Sequence, residues 1–132
     1  MLDELASLHT AYPEAAVLRA RIALEEGNRP FAIRFLDQQI RQFGDVPQLR
    51  ETYASALYLA GRWQEATDQL NVALKLGTPL WRVAYGRGLI EEGRGRFGEA
   101  KVHYQEAIQN RPGWRLPESR MRALVATGRI PE

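Results

Sequence analysis

The 132-residue chain contains no cysteine, which excludes disulfides, thiolate catalysis and cysteine-ligated zinc or iron–sulfur centres. Histidine is almost as scarce. His9 and His103 are the only two, and neither has a second histidine at metal-ligand spacing on its helical face, so no metal is expected. The three serines, Ser7, Ser55 and Ser119, lie outside any nucleophile-elbow pattern. No catalytic set and no cofactor are therefore expected. Long apolar runs are missing too: the longest uncharged one, Tyr53 to Gly61, covers nine residues, whereas a spanning helix needs roughly 20. No basic segment followed by an apolar one opens the chain, so no signal peptide is read; a soluble chain is expected, and its compartment, cytoplasmic or periplasmic, stays unknown because cysteine-free chains work in both. Neither charge sign dominates. Eighteen basic against sixteen acidic residues leave +2, which makes no case for nucleic acid or an anionic membrane. Lysine accounts for only two of those cations, Lys75 and Lys101; the rest are arginine, the better residue for forked contacts to carboxylates.

What the chain does have is a repeat. Gly27-Asn-Arg-Pro-Phe-Ala32, Gly61-Arg-Trp-Gln-Glu-Ala66 and Gly95-Arg-Phe-Gly-Glu-Ala100 align, and Ala32, Ala66 and Ala100 follow one another in equal steps. Pro13, Pro47 and Pro79 open a second series, each followed at one constant interval by a glycine, Gly27, Gly61 and Gly93. Pro79 comes two residues early, which places a two-residue insertion in the turn Gly93-Arg-Gly-Arg. Proline is tolerated in a first helical turn and glycine suits a left-handed cap, so each unit reads as two helices. The first helices are expected at Glu14–Glu26, Gln48–Ala60 and Leu80–Glu92, and the second at Pro30–Phe43, Trp63–Leu76 and Phe97–Gln109. Apolar residues recur at helical spacing, as in Phe35, Leu36, Ile40 and Phe43, and no alternating run signals a strand. Ala20, Ala54 and Gly86 stand at equivalent places in the first helices, where a larger side chain would push the pair apart.

These features resemble the tetratricopeptide repeat (TPR), a 34-residue helix–turn–helix unit. The step from Ala32 to Ala66, and again to Ala100, is the length of that unit. The second unit matches at Ala54, Gly61, Trp63, Ala66, Ala73 and Pro79, and the third at Gly86, Phe97, Ala100, Ala107 and Pro112. The first departs from the pattern, with Arg29 in the aromatic place and Gln39 in that of the second alanine. The resemblance implies an all-α fold, a right-handed α-solenoid of antiparallel helix pairs with about eight helices. The divisions are 1–12 (second helix only, with Leu2, Leu5 and Leu8), repeats 13–46, 47–78 and 79–113, and a partial repeat or capping helix 114–132. Halves at both ends suggest a segment of a longer array.

The resemblance also implies a concave groove lined by the first helices. One groove position carries Arg21, Ser55, Arg87 and Arg122; another carries Leu24, Tyr58, Ile90 and Val125; a third carries Val17, Glu51, Val83 and Glu118. A ladder of arginines beside an apolar stripe suits a protein or peptide segment with apolar anchors and acidic groups. The family's carboxylate clamp for chaperone C-termini is not reproduced: its places hold Val17, Arg21, Thr52, Leu80 and Ala84. The function expected is a non-catalytic protein-interaction scaffold, with self-association through uncapped ends. The alternatives are a targeting or dimerising arm of a larger enzyme and, further off, an RNA-binding helical repeat.

Two patterns are set aside. Residues 93–98 fit G-x-G-x-x-G, but a helix precedes them where a dinucleotide site needs a strand. Glu25-Glu26 and Glu91-Glu92 are carboxylate pairs whose members point apart on a helix, and they read as solvated helix ends.

Overall fold

The computed structural model describes residues 2–132, with side chains from Pro13 onward. Seven helices account for most of this length. They are α1 (Leu2–Glu25), α2 (Arg29–Gln42), α3 (Pro47–Leu59), α4 (Trp63–Lys75), α5 (Leu80–Gly93), α6 (Phe97–Asn110) and α7 (Arg115–Ala126). No strand occurs among the described residues. The count is seven because α1 is continuous through Pro13, with no break between the segment read as residues 1–12 and the helix after it. The side chains of Leu2, Leu5, Leu8 and His9 lie outside the described residues.

The chain forms two compact units, residues 1–77 and 78–132. In the first, α1 packs on α2 and α3, α2 on α3, and α3 on α4. Its interior closes around small side chains: Ala20, Ala32, Ala54, Ala66 and Ala73 are all buried with Leu36, Leu49 and Leu57. Close packing of backbones explains the alanines, since each extra methylene in such a seam costs about 1–3 kcal/mol. In the second unit α5 pairs with α6, and α6 with α7. Its core is Ala100, Tyr104, Leu124 and Ile130, with Tyr85, Leu89, Phe97, Met121 and Val125 packed around it.

One turn recurs four times. Gly27, Gly61, Gly95 and Gly128 all have φ between 70° and 80°. In each case the glycine N–H and the next N–H bond back to the helix just ended, for example Gly95 N to Glu92 O at 3.0 Å and Arg96 N to Glu91 O at 2.8 Å. This is the left-handed cap that satisfies the last carbonyls of a helix. The capping glycine of the third turn is thus Gly95, as far beyond Gly61 as Gly61 is beyond Gly27, and not Gly93, which ends α5. The two extra residues after Pro79 are absorbed before the turn, on the α5 side, rather than in the turn itself.

That shift changes which glycine packs. Gly88, one full repeat after Ala54, takes the small-residue place read for Gly86. A Cβ built on Gly88 would clash with Tyr104 Cε1, and Tyr104 is the largest fully buried side chain among the described residues.

Candidate interaction surface

The residues read as groove-lining divide by environment. In the first unit Arg21 and Leu24 sit on α1, and Glu51, Ser55 and Tyr58 on its neighbour α3. Arg21 and Ser55 are exposed; Leu24, Glu51 and Tyr58 are half-buried. The Ser55 hydroxyl donates to the Glu51 carbonyl at 3.2 Å, and the Tyr58 ring leans on Trp63 with centroids 5.7 Å apart. In the second unit Arg122 is exposed on α7. Val83 and Ile90 are buried at 0% and 2% exposure, so neither offers a side chain to a partner. Arg87 points toward α6, its Nη1 4.0 Å from Glu106 Oε1. Val83 and Ile90 fall off the surface, and half-exposed Arg87 is turned aside, for the reason that moved the small residue: the register of α5 is two residues later than the spacing from Pro79 implies.

In the corrected register α5 presents Trp81, Tyr85, Leu89 and Glu92, all half-buried. The first three follow i, i+4, i+8 spacing and make one apolar stripe. Trp114, at the entry to α7, packs edge-on against Trp81 and tilted against Tyr85, both at 4.9 Å between centroids. The Arg111 guanidinium lies over Trp81 at 4.1 Å and over Trp114 at 5.4 Å, where the ring faces attract a cation. None of Trp81, Tyr85 and Leu89 was read as a surface residue. The signal that could have found them is the even spacing of Gly27, Gly61 and Gly95, followed in place of the prolines.

Beside this stripe lies a charge cluster that joins three helices. Glu92 Oε1 accepts from the Tyr104 hydroxyl at 2.8 Å and from Arg120 Nε at 3.2 Å, while the second Arg120 nitrogen donates to Oε2. Burial, then the hydrogen bond to Glu92, pushes the Tyr104 hydroxyl well above the usual phenol range. The hydrogen bond to Glu92 raises Arg120 further still. Glu91 faces the hairpin turn, 3.7 Å from Arg94 and 3.8 Å from Arg96. Burial, and after it the Glu99 carboxyl, lifts Glu91 above the ordinary carboxylate range against the pull of those arginines. The pair Glu91-Glu92 is therefore not a solvated helix end, whereas Glu25-Glu26 is exposed.

Among the described residues no group of three histidine or acidic side chains could hold a metal ion, and no helix is long and apolar enough to cross a membrane. Residues 93–98 run from the last residue of α5 into the first turn of α6, with no strand before them. What the surface offers chemically is contact: aromatic and aliphatic area beside guanidinium groups.

Solved structures share the architecture. The first TPR domain of human RPAP3 superposes with a TM-score of 0.73 at 17% identity, covering 86% of this chain and 91% of that one. The fold is that of the tetratricopeptide repeat. Crystalline MamA matches this TPR fold with a TM-score of 0.71 at 20% identity, over 96% of this chain and 74% of its own. The first TPR of Spaghetti (RPAP3), bound to the HSP90 peptide SRMEEVD, gives 0.73 at 17% identity over 88% and 92%. No protein-family model and no curated protein matches the sequence.

Proposed function

We propose that this TPR-fold chain is a non-catalytic protein-interaction module, and that the second unit holds a protein or peptide segment on the stripe Trp81–Tyr85–Leu89. The observation behind this reading is the stripe itself, half-exposed aromatic and aliphatic area on α5 with the exposed Arg122 on α7. Aromatic anchors in partly dry surroundings supply most of the energy of such contacts. A cation at the rim selects partners with acidic groups. In the first unit Arg21, Leu24, Glu51, Ser55 and Tyr58 offer a second, more polar patch of the same kind. The peptide seen on Spaghetti is acidic near its end, but the clamp residues that the family uses for such termini are matched poorly: their places hold Val17, Arg21, Thr52 and, in the corrected register of α5, Arg82 and Gly86, of which Arg82 alone keeps the cation of the α5 places. An internal segment with apolar anchors is the better fit to this chain.

Selection of peptides from a display library on the full chain tests the reading. Binders should be rich in aliphatic or aromatic residues flanked by acids. Leu89→Asp should weaken them at least tenfold at a temperature where circular dichroism shows it folded, and Trp81→Ala, at a residue outside the core that Leu89 packs on, should weaken them likewise. Selected peptides that bind Leu89→Asp as tightly as the parent would remove the α5 stripe from the site.

A further inference from the structure

Among the described residues α1 and α7 each carry one exposed face, and the two faces are complementary. On α1, Glu14, Leu18, Arg21 and Glu25 follow i, i+4, i+7, i+11 spacing, with Ile22 alongside, and all are exposed. Leu18 is 60% and Ile22 45% accessible, which is unusual for large aliphatic side chains one turn apart. On α7, Arg115, Ser119, Arg122 and Ala126 repeat the same spacing, with Leu116 alongside at 52% exposure. Among the described residues Glu14, Glu25, Arg115 and Arg122 have no ion-pair partner. Glu118, the one acid within α7, is half-buried.

The charges also stand at the wrong ends of their own helices. Glu25 closes α1, whose last turn holds no base, and Arg115 opens α7. A carboxylate at a helix C-terminus and a guanidinium at an N-terminus both oppose the local dipole. Laid antiparallel, α1 of one molecule and α7 of another bring Glu25 to Arg115 and the C-terminal end of α1 to the N-terminal end of α7. Both mismatches are then relieved at once. The same register sets Arg21 opposite the Ser119 hydroxyl and Leu18 near the stem of Arg122. The units differ in the same sense: residues 1–77 carry eight bases and ten acids, residues 78–132 ten bases and six acids.

We infer that this chain binds a second copy of itself, the α1 stripe of one molecule seated on the α7 stripe of the next. The contact is heterologous: each molecule uses a different face from the one it meets, so copies add head to tail into chains or rings. Two helix stripes of this length fall at or below the low end of stable interface sizes, about 1,200 Å², so assembly is concentration-dependent and weakened by salt. The contact does not depend on the α5 stripe proposed above. Leu89→Asp should leave assembly intact, so the two readings fail separately.

Sedimentation velocity of the full chain, from micromolar to millimolar concentration at low salt, tests it. The parent should form species larger than a monomer. Glu25→Arg and Arg115→Glu should each weaken assembly about fivefold or more, and an equimolar mixture of the two should restore it, because each variant then offers the charge that the other lacks. Leu18→Asp should abolish assembly with unchanged helical signal. A parent that stays monomeric throughout, assembly indifferent to either charge reversal, or a mixture no better than its components would each overturn the inference.

Discussion

Gly88 sits beneath the Tyr104 ring with no room for a methyl group, and Tyr104 cannot retreat because its hydroxyl is tied to Glu92. Gly88→Ala should cost about 1–3 kcal/mol from overpacking, reduced by the helix-propensity gain of about 1 kcal/mol. Gly98, in the first turn of α6, has nothing within 4 Å of an added Cβ, so Gly98→Ala should be neutral or stabilising. Urea midpoints of the two variants check the contrast, and equal effects would mean that the Gly88 contact is relieved elsewhere. Glu91 is the second residue with a legible consequence. Burial and Glu99 raise its carboxyl above the ordinary range, so the folded chain holds that proton more tightly than the unfolded chain does. Stability at this site is full below the unfolded pKa and falls as pH rises through the raised one. Glu91→Gln should flatten that fall and leave the protein more stable above the window. Urea midpoints from pH 4 to 7 would show it, and a parent whose stability rises across that range relative to the glutamine variant would contradict the direction.

At the scale of elements, α7 is held to the second unit by its packing on α6 and by Arg120, whose guanidinium reaches Glu92 on α5. Glu92 is mostly shielded while Arg120 is 41% exposed, so solvent screens the pair and its loss should stay near 1–2 kcal/mol. Arg120→Ala should therefore speed amide exchange along α7 before it affects α6. Tyr104→Phe removes a hydrogen bond to the shielded Glu92 carboxylate and should cost about 1.5–3 kcal/mol. Exchange in α7 that is unchanged by Arg120→Ala would show that packing alone holds the helix. The helices themselves were readable from sequence, with ends within about a residue of α2 through α6; three of them, α3, α4 and α5, stop at Gly61, Gly77 and Gly95, whose left-handed φ no other residue adopts cheaply. The register misled. Proline only tolerates a first turn, so α5 starts at Leu80 as read while positions counted from Pro79 fall two residues short, which drew the buried Val83 and Ile90 into the surface and put Arg87 in place of Leu89. Pro13 likewise marked a helix start where α1 runs straight through. The Glu92–Tyr104–Arg120 cluster left no trace in the sequence, since its members are 12 and 28 residues apart and meet only once three helices have packed.

For the molecule as a whole, the division into two compact units and the repeat architecture make stability a sum of local terms. Each helix pair depends mainly on its immediate neighbours, as expected of solenoids. A lesion confined to α5–α6, such as Gly88→Ala, should then accelerate amide exchange throughout α5, α6 and α7 while α2 and α3 keep the protection of the parent. Unfolding in urea should broaden as well, because the weakened unit melts first and two-state behaviour is lost. The same local logic separates the two interaction surfaces: Leu89→Asp acts on α5 and Glu25→Arg on α1, so either can be disabled with the other still readable. Exchange that rises equally in both units of Gly88→Ala would show that the chain unfolds as one cooperative body, and effects of surface substitutions would then have to be measured on the whole chain rather than assigned to the unit that carries them.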